Sequence, residues 1–135
     1  MTATCRLPCC ASPRRTVSEL LDRGLRRNRA APLPHEGVQL SDADGNAARF
    51  SIDVRDATIA DVGFRVTSCA TLVAYGELIA ETVAGMRIEL ANGLTARDLV
   101  DALPGVPALK RDRAVLAVAA FRSALADVSQ QGTPS

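Results

Sequence analysis

The sequence predicts an α+β domain in which a small antiparallel sheet of two to three strands is covered on one face by helices. Three observations carry this expectation. Ala48, Phe50, Ile52 and Val54 alternate with Arg49, Ser51 and Asp53, which is the period of a half-buried strand. Val62, Phe64 and Val66 alternate in the same way with Gly63, Arg65 and Thr67, and a turn from Arg55 to Thr58 joins the two runs into an antiparallel hairpin. Directly after the second run the period becomes helical, with Leu72, Val73, Ile79 and Val83 on one stripe and Cys69 at the joint. One apolar sheet face and several amphipathic helices imply a single two-layer domain.

Taken in order, residues 1–15 read as a disordered N-terminal extension, because Pro8, Pro13 and their polar neighbours oppose regular structure. The segment has no apolar core of secretory-signal length, and a reducing, cytoplasmic location is expected. Cys5, Cys9 and Cys10 do not have zinc-site spacing, and no second Cys pair or His lies close in sequence. The domain is expected over residues 16–128, with 129–135 a frayed tail. Thr16-Val17-Ser18-Glu19 is a capping box, opening a helix to about Arg27 with Val17, Leu20, Leu21 and Leu25 as its apolar stripe. Residues 30–37 read as a proline-containing linker in which His35, the one histidine, is a solvated loop residue; Val38 to Leu40 is a short edge strand.

Asp42-Ala43-Asp44-Gly45-Asn46 reads as a turn rather than a calcium loop, because the acidic residue required six positions after the glycine is Ser51. Thr67 or Ser68 is placed as N-cap of the helix after the hairpin, Cys69 falls in its first turn, and Gly85 ends it. A thiol in that position is favoured as thiolate by the helix dipole. Thr95 caps a short helix to about Leu103, Pro104-Gly105-Val106-Pro107 breaks it, and a last helix from about Lys110 to Val128 buries Ala114, Val118, Phe121, Leu125 and Val128.

The 135 residues carry a net charge of +1 at pH 7, which gives no electrostatic case for a nucleic-acid or membrane partner. No run of 18 apolar residues is present, so no membrane span is expected. The sequence shows no phosphate loop, Ser/His/Asp set or C-x-x-C pair, and with the lone histidine in a linker it is not read as an enzyme.

The element order and several residues resemble the iron-sulfur cluster assembly scaffold family of NifU N-terminal and IscU type. The likeness runs from about Thr16 to Val128 and is strongest over RFSIDVRDATIADVGFRVTSCATLVAYGELIAETVAG. Pro107-Ala108-Leu109-Lys110 is similar to the family's Pro-Pro-Val-Lys stretch, which precedes a ligand pair, and ALADV matches the end of its last helix. The resemblance implies three cluster cysteines with a nearby aspartate and, in many members, a histidine. Carried over by position, only Cys69 is retained: the first cysteine falls on Asp44, the aspartate on Asn46, the histidine on Asp112 and the last cysteine on Arg113.

Two functions follow from the resemblance. In the first, the chain handles iron or an iron-sulfur cluster through a reduced ligand set, with Cys69 as the sulfur ligand and Asp44 and Asp112 as oxygen ligands to a cluster or a weakly held divalent metal. The implied partners are a cysteine desulfurase or other cluster-assembly proteins, and a homodimer is one way to supply further thiolates. In the second, the fold is a degenerate, metal-free interaction or regulatory module. A third reading is a thiol module in which Arg113 faces Cys69; beside it stands the plain alternative of a buried, inert Cys69.

Overall fold

The computed structural model describes residues 15–67 and 69–131. The three N-terminal cysteines, Ser68 and residues 132–135 of the expected tail lie outside the described residues. Arg15, placed by the sequence in the extension, donates its backbone N–H to Ala102 O and pairs with Glu81 at 3.1 Å. The elements are α1 (Val17–Arg29), β1 (His35–Glu36), β2 (Leu40–Ser41), β3 (Ala47–Arg55), β4 (Thr58–Val66), α2 (Ala70–Val83), α3 (Ile88–Ala91), α4 (Ala96–Ala102) and α5 (Arg113–Gln131).

The molecule is α+β with a small antiparallel sheet, now of four strands because two two-residue strands flank the hairpin. β3 is central: β4 pairs along one side, while β1 and β2 share the other, His35 opposite Ile52 and Leu40 opposite Ala48. Alternation places Ala48, Phe50, Ile52, Val62, Phe64 and Val66 on one buried face, covered by α2 and α5. One cluster of buried apolar side chains runs from Leu20 through Tyr75 to Leu125. At its centre the Phe50 ring meets Phe64 at 5.5 Å and Phe121 edge-on at 6.0 Å.

Both N-caps with hydroxyls behave as their sequences require, Thr16 with Glu19 and Thr95 with Asp98 forming reciprocal capping boxes. Gly85 follows the C-cap of α2 at φ 84°, the left-handed conformation that ends a helix. Four details differ from the sequence reading. His35 is in β1, with Nδ1 3.6 Å from Asp127 Oδ2, and is not a solvated loop residue. The short edge strand is Leu40–Ser41, because the linker must first pass Gly37 closely against α5. Leu25 is 38% exposed; its place at the interface is taken by Gly24, where a Cβ would lie 2.6 Å from Val73 Cγ1. The missing side chain lets α1 lie directly on α2. Between Gly85 and Thr95, where the sequence reading assigns no element, Ile88–Ala91 forms α3.

Side chains of α1 also cap the β4 edge, where unpaired backbone groups would otherwise invite further strands. Asn28 donates to Val66 O and accepts from Val66 N, so its amide imitates a neighbouring strand. Arg27 reaches Val62 O and pairs with Asp61, while its Nε lies 2.7 Å from Glu77 of α2, a carboxylate only 1% exposed. Burial raises the Glu77 pKa, as does neighbouring Glu81, against the pull of Arg27.

Phe64 is 4% exposed and its ring packs on Gly76, which has no side chain to move into a vacated space. Phe64→Ala should therefore cost about 3–5 kcal/mol in urea unfolding. A loss under about 1 kcal/mol would show that this face is not the core.

Candidate functional site

Two short segments at one end of the hairpin are held side by side by the backbone. Thr67 N donates to Ala47 O at 3.0 Å and Ala47 N donates to Thr67 Oγ1 at 3.3 Å, closing the sheet where β3 starts and β4 ends. The residues just before Ala47 are the Asp42–Asn46 turn, and the residue two after Thr67 is Cys69. Antiparallel pairing alone thus places the acidic turn and the cysteine together.

The turn is tied by its first residue. Asp42 Oδ1 accepts from the backbone N–H of Asp44 and of Asn46, both at 2.9 Å, and Asn46 Nδ2 donates to Asp42 Oδ2 at 3.1 Å. Desolvation opposes the charge of Asp42, but these hydrogen bonds and the nearby Arg113 hold its carboxyl below the usual carboxylate range.

Cys69 is the N-cap of α2 itself and not, as expected, a first-turn residue behind a Thr67 or Ser68 cap. Its extended backbone (φ −119°, ψ 117°) sets the carbonyl to accept from Val73 N at 2.9 Å, and its side chain makes no cap hydrogen bond. The thiol is free and half-buried.

The third component arrives with α5. The bend after α4 ends in a 3-10 turn at Ala108–Lys110, which delivers Asp112 and Arg113 to the same end. One oxygen from each of Asp42, Asp44 and Asp112 lies within 4.8 Å of the others. Arg113, whose side chain is 12% exposed, donates Nη1 to Asp112 Oδ1 at 2.7 Å and to Asp44 Oδ2 at 3.4 Å. Burial works against its charge, yet hydrogen bonds to the Cys69 thiol and Asp112 raise its pKa above the ordinary value. The guanidinium is the hub on which the thiol and the carboxylates meet.

All the residues singled out from the sequence, Asp44, Cys69, Asp112 and Arg113, are therefore neighbours. Asp42 was read only as a turn former; its place opposite Asp112 is a tertiary fact that no local pattern shows. Chemically, the three carboxylates are a set open to a divalent metal, with one fixed cation already present, and Cys69 adds a soft sulfur beside Arg113 rather than within that oxygen group. Beside it an open apolar groove of about 440 Å³ runs past Leu40, Val115, Leu116 and Ala119. Among the described residues no helix is long and apolar enough to cross a membrane.

Residues 22–133 match the model of the NifU-like N terminal domain. The chain is 32% identical over 83 residues to the iron-sulfur cluster assembly scaffold protein IscU 1 of Archaeoglobus fulgidus, covering 62% of this chain and 54% of that protein. It is 34% identical over 70 residues to the scaffold protein IscU of Aquifex aeolicus, covering 50% of this chain and 45% of that one. The chain thus spans about half the length of the curated relatives it matches. A crystal structure of a NifU-like protein (N-terminal) from Brucella abortus superposes with a TM-score of 0.59 over 83% of this chain and 92% of that one, at 16% identity, a likeness of fold.

The electrostatic account of the hub has a pH signature. A carboxylate whose folded pKa is lowered adds stability above its unfolded pKa and loses it as pH falls through the folded value. Arg113→Gln removes a cation that helps lower Asp42, so it should destabilise the fold at neutral pH. The deficit should shrink as pH falls below about 4, measured by urea unfolding across pH. A deficit independent of pH would show that Arg113 acts through packing.

Proposed function

The chain belongs to the NifU-like N terminal domain family, and from that premise we propose that it works as an iron-sulfur cluster assembly scaffold-type protein with a reduced ligand set. Iron, or a cluster in transit, is its cargo. Cys69 supplies the sulfur ligand, and Asp44 and Asp112, joined by Asp42, supply oxygen. The observation that carries this reading is the convergence of the cysteine and the three carboxylates from separate segments onto one end of a scaffold fold. Relatives named as cluster assembly scaffolds support it.

The ligand count decides what can be held. Clusters are usually bound by four ligands, mostly thiolates, and one site here offers a single thiolate. A monomer should accordingly hold a divalent ion weakly, and a cluster only with a second thiolate from another copy or a small thiol. A cysteine desulfurase or another cluster-assembly protein is the expected partner class.

A second reading is favoured by Arg113. Its guanidinium bonds to Asp44 and Asp112 and interacts with Cys69, neutralising the groups that would attract a metal, as in an interaction or regulatory module that carries no iron.

Anaerobic reconstitution with ferrous iron and sulfide, followed by visible absorption and sizing, separates the two. The scaffold reading expects iron retention that is lost in Cys69→Ser and raised in Arg113→Cys, which adds a second thiolate and removes the competing cation. A stable cluster on monomeric Cys69→Ser would contradict it. No gain in a folded Arg113→Cys variant would favour the metal-free module.

A further inference from the structure

On the opposite face of the sheet from the core, Arg49 and Arg65 stand directly across from each other in the β3–β4 register. Like charges so placed repel, and a sheet normally avoids them. The two are not relieved equally. Arg49 Nε bonds to Gly37 O at 3.0 Å and pairs with Glu36 at 3.3 Å. Arg65 makes no ion pair among the described residues, and its Nη2 donates only a long 3.4 Å bond to Ala30 O. A guanidinium carries five N–H donors, so most of those on Arg65 are free of protein carboxylates.

The space the two arginines share is a recess half open to solvent. The linker after α1 crosses this face, seated by Leu33 N donating to Ser51 Oγ at 3.0 Å, and leaves a cavity of about 250 Å³ walled by Pro32, Glu36, Gln39 and Ser51 together with both arginines. Glu36 offsets one positive charge and Arg65 leaves the pocket one positive charge in excess.

We propose that this cavity is a binding site for a small oxyanion, a carboxylate or phosphate held by the fork of Arg65 with Arg49 across from it. An oxyanion in the pocket meets the free donors in the geometry that guanidinium groups favour and screens the arginines from each other. The volume lies below the roughly 300–1,000 Å³ of sites that enclose drug-sized ligands, which limits the occupant to a small molecule or a single acidic side chain. The site shares no residue with the Asp42, Asp44, Cys69, Asp112 and Arg113 cluster, and it stands whether or not the chain handles iron.

The test is a titration of the ¹⁵N-labelled protein with inorganic phosphate and, separately, with succinate, against sodium chloride at matched ionic strength, following the amides of Arg49, Ser51 and Arg65. Saturable shifts confined to this pocket are expected. Saturation by phosphate alone or by succinate alone identifies which oxyanion fits. Arg65→Gln should weaken binding by about tenfold or more, the loss of a charge-assisted pair. Arg65→Lys should fall between, keeping charge without the fork, and Arg26→Gln should leave binding unchanged. Shifts that merely follow ionic strength, or saturable binding that survives Arg65→Gln, would overturn the assignment.

Discussion

The antiparallel register of β3 and β4 is the constraint from which the rest of the molecule follows. Pairing Phe50 with Phe64 and Ala48 with Val66 puts Phe50, Ile52, Val62, Phe64 and Val66 on the face that α2 and α5 cover. A slip of β4 by one residue against β3 would pair Phe50 with Gly63 or Arg65 and send Val62, Phe64 and Val66 to the outer face, so the burial itself fixes the register. The same register closes the sheet at Ala47 and Thr67, bringing the Asp42–Asn46 turn beside Cys69, and sets two arginines opposite each other on the far face. Core, candidate site and anion pocket are three consequences of one pairing.

At the candidate site the decisive balance is electrostatic. Three carboxylates with oxygens within 4.8 Å would repel without a cation, and Arg113 supplies one from within the chain. It stands at the position where the resemblance places the family's last cysteine. A guanidinium there is a counter-ion where the resemblance implies a ligand: it ties the acidic turn to the start of α5, and it opposes an incoming metal with a fixed charge. Under the proposed function an iron ion would have to displace or share that guanidinium, and weak, exchangeable binding is what that proposal expects of the site.

Much of this was legible in the sequence, and the limits have physical causes. The alternation of Ala48–Val54 and Val62–Val66, the capping boxes at Thr16 and Thr95 and the stripe from Ala114 to Leu125 are local patterns, and each formed its element. The family's spacing also led to Asp44, Cys69, Asp112 and Arg113, which the fold brings together. What the sequence did not show depends on partners distant in the chain. Glu77 looks like a surface residue of an amphipathic helix, yet it is buried against Arg27, fifty positions earlier. Leu25 has helical spacing, but Gly24 takes the interface because close approach to Val73 outweighs one more apolar side chain. His35 enters β1 because Ile52 offers it a strand to pair with, a long-range fact invisible in Pro34-His35-Glu36.

The central claim is that this end of the molecule handles iron through Cys69 in spite of Arg113. Its most direct test is the iron and acid-labile sulfide content of the chain isolated from cells without exposure to oxygen, beside Cys69→Ser isolated in the same way. The account expects iron with the unaltered chain, at less than a full equivalent, and its loss with the cysteine. Finding neither iron nor sulfide, or equal iron in both proteins, would contradict it.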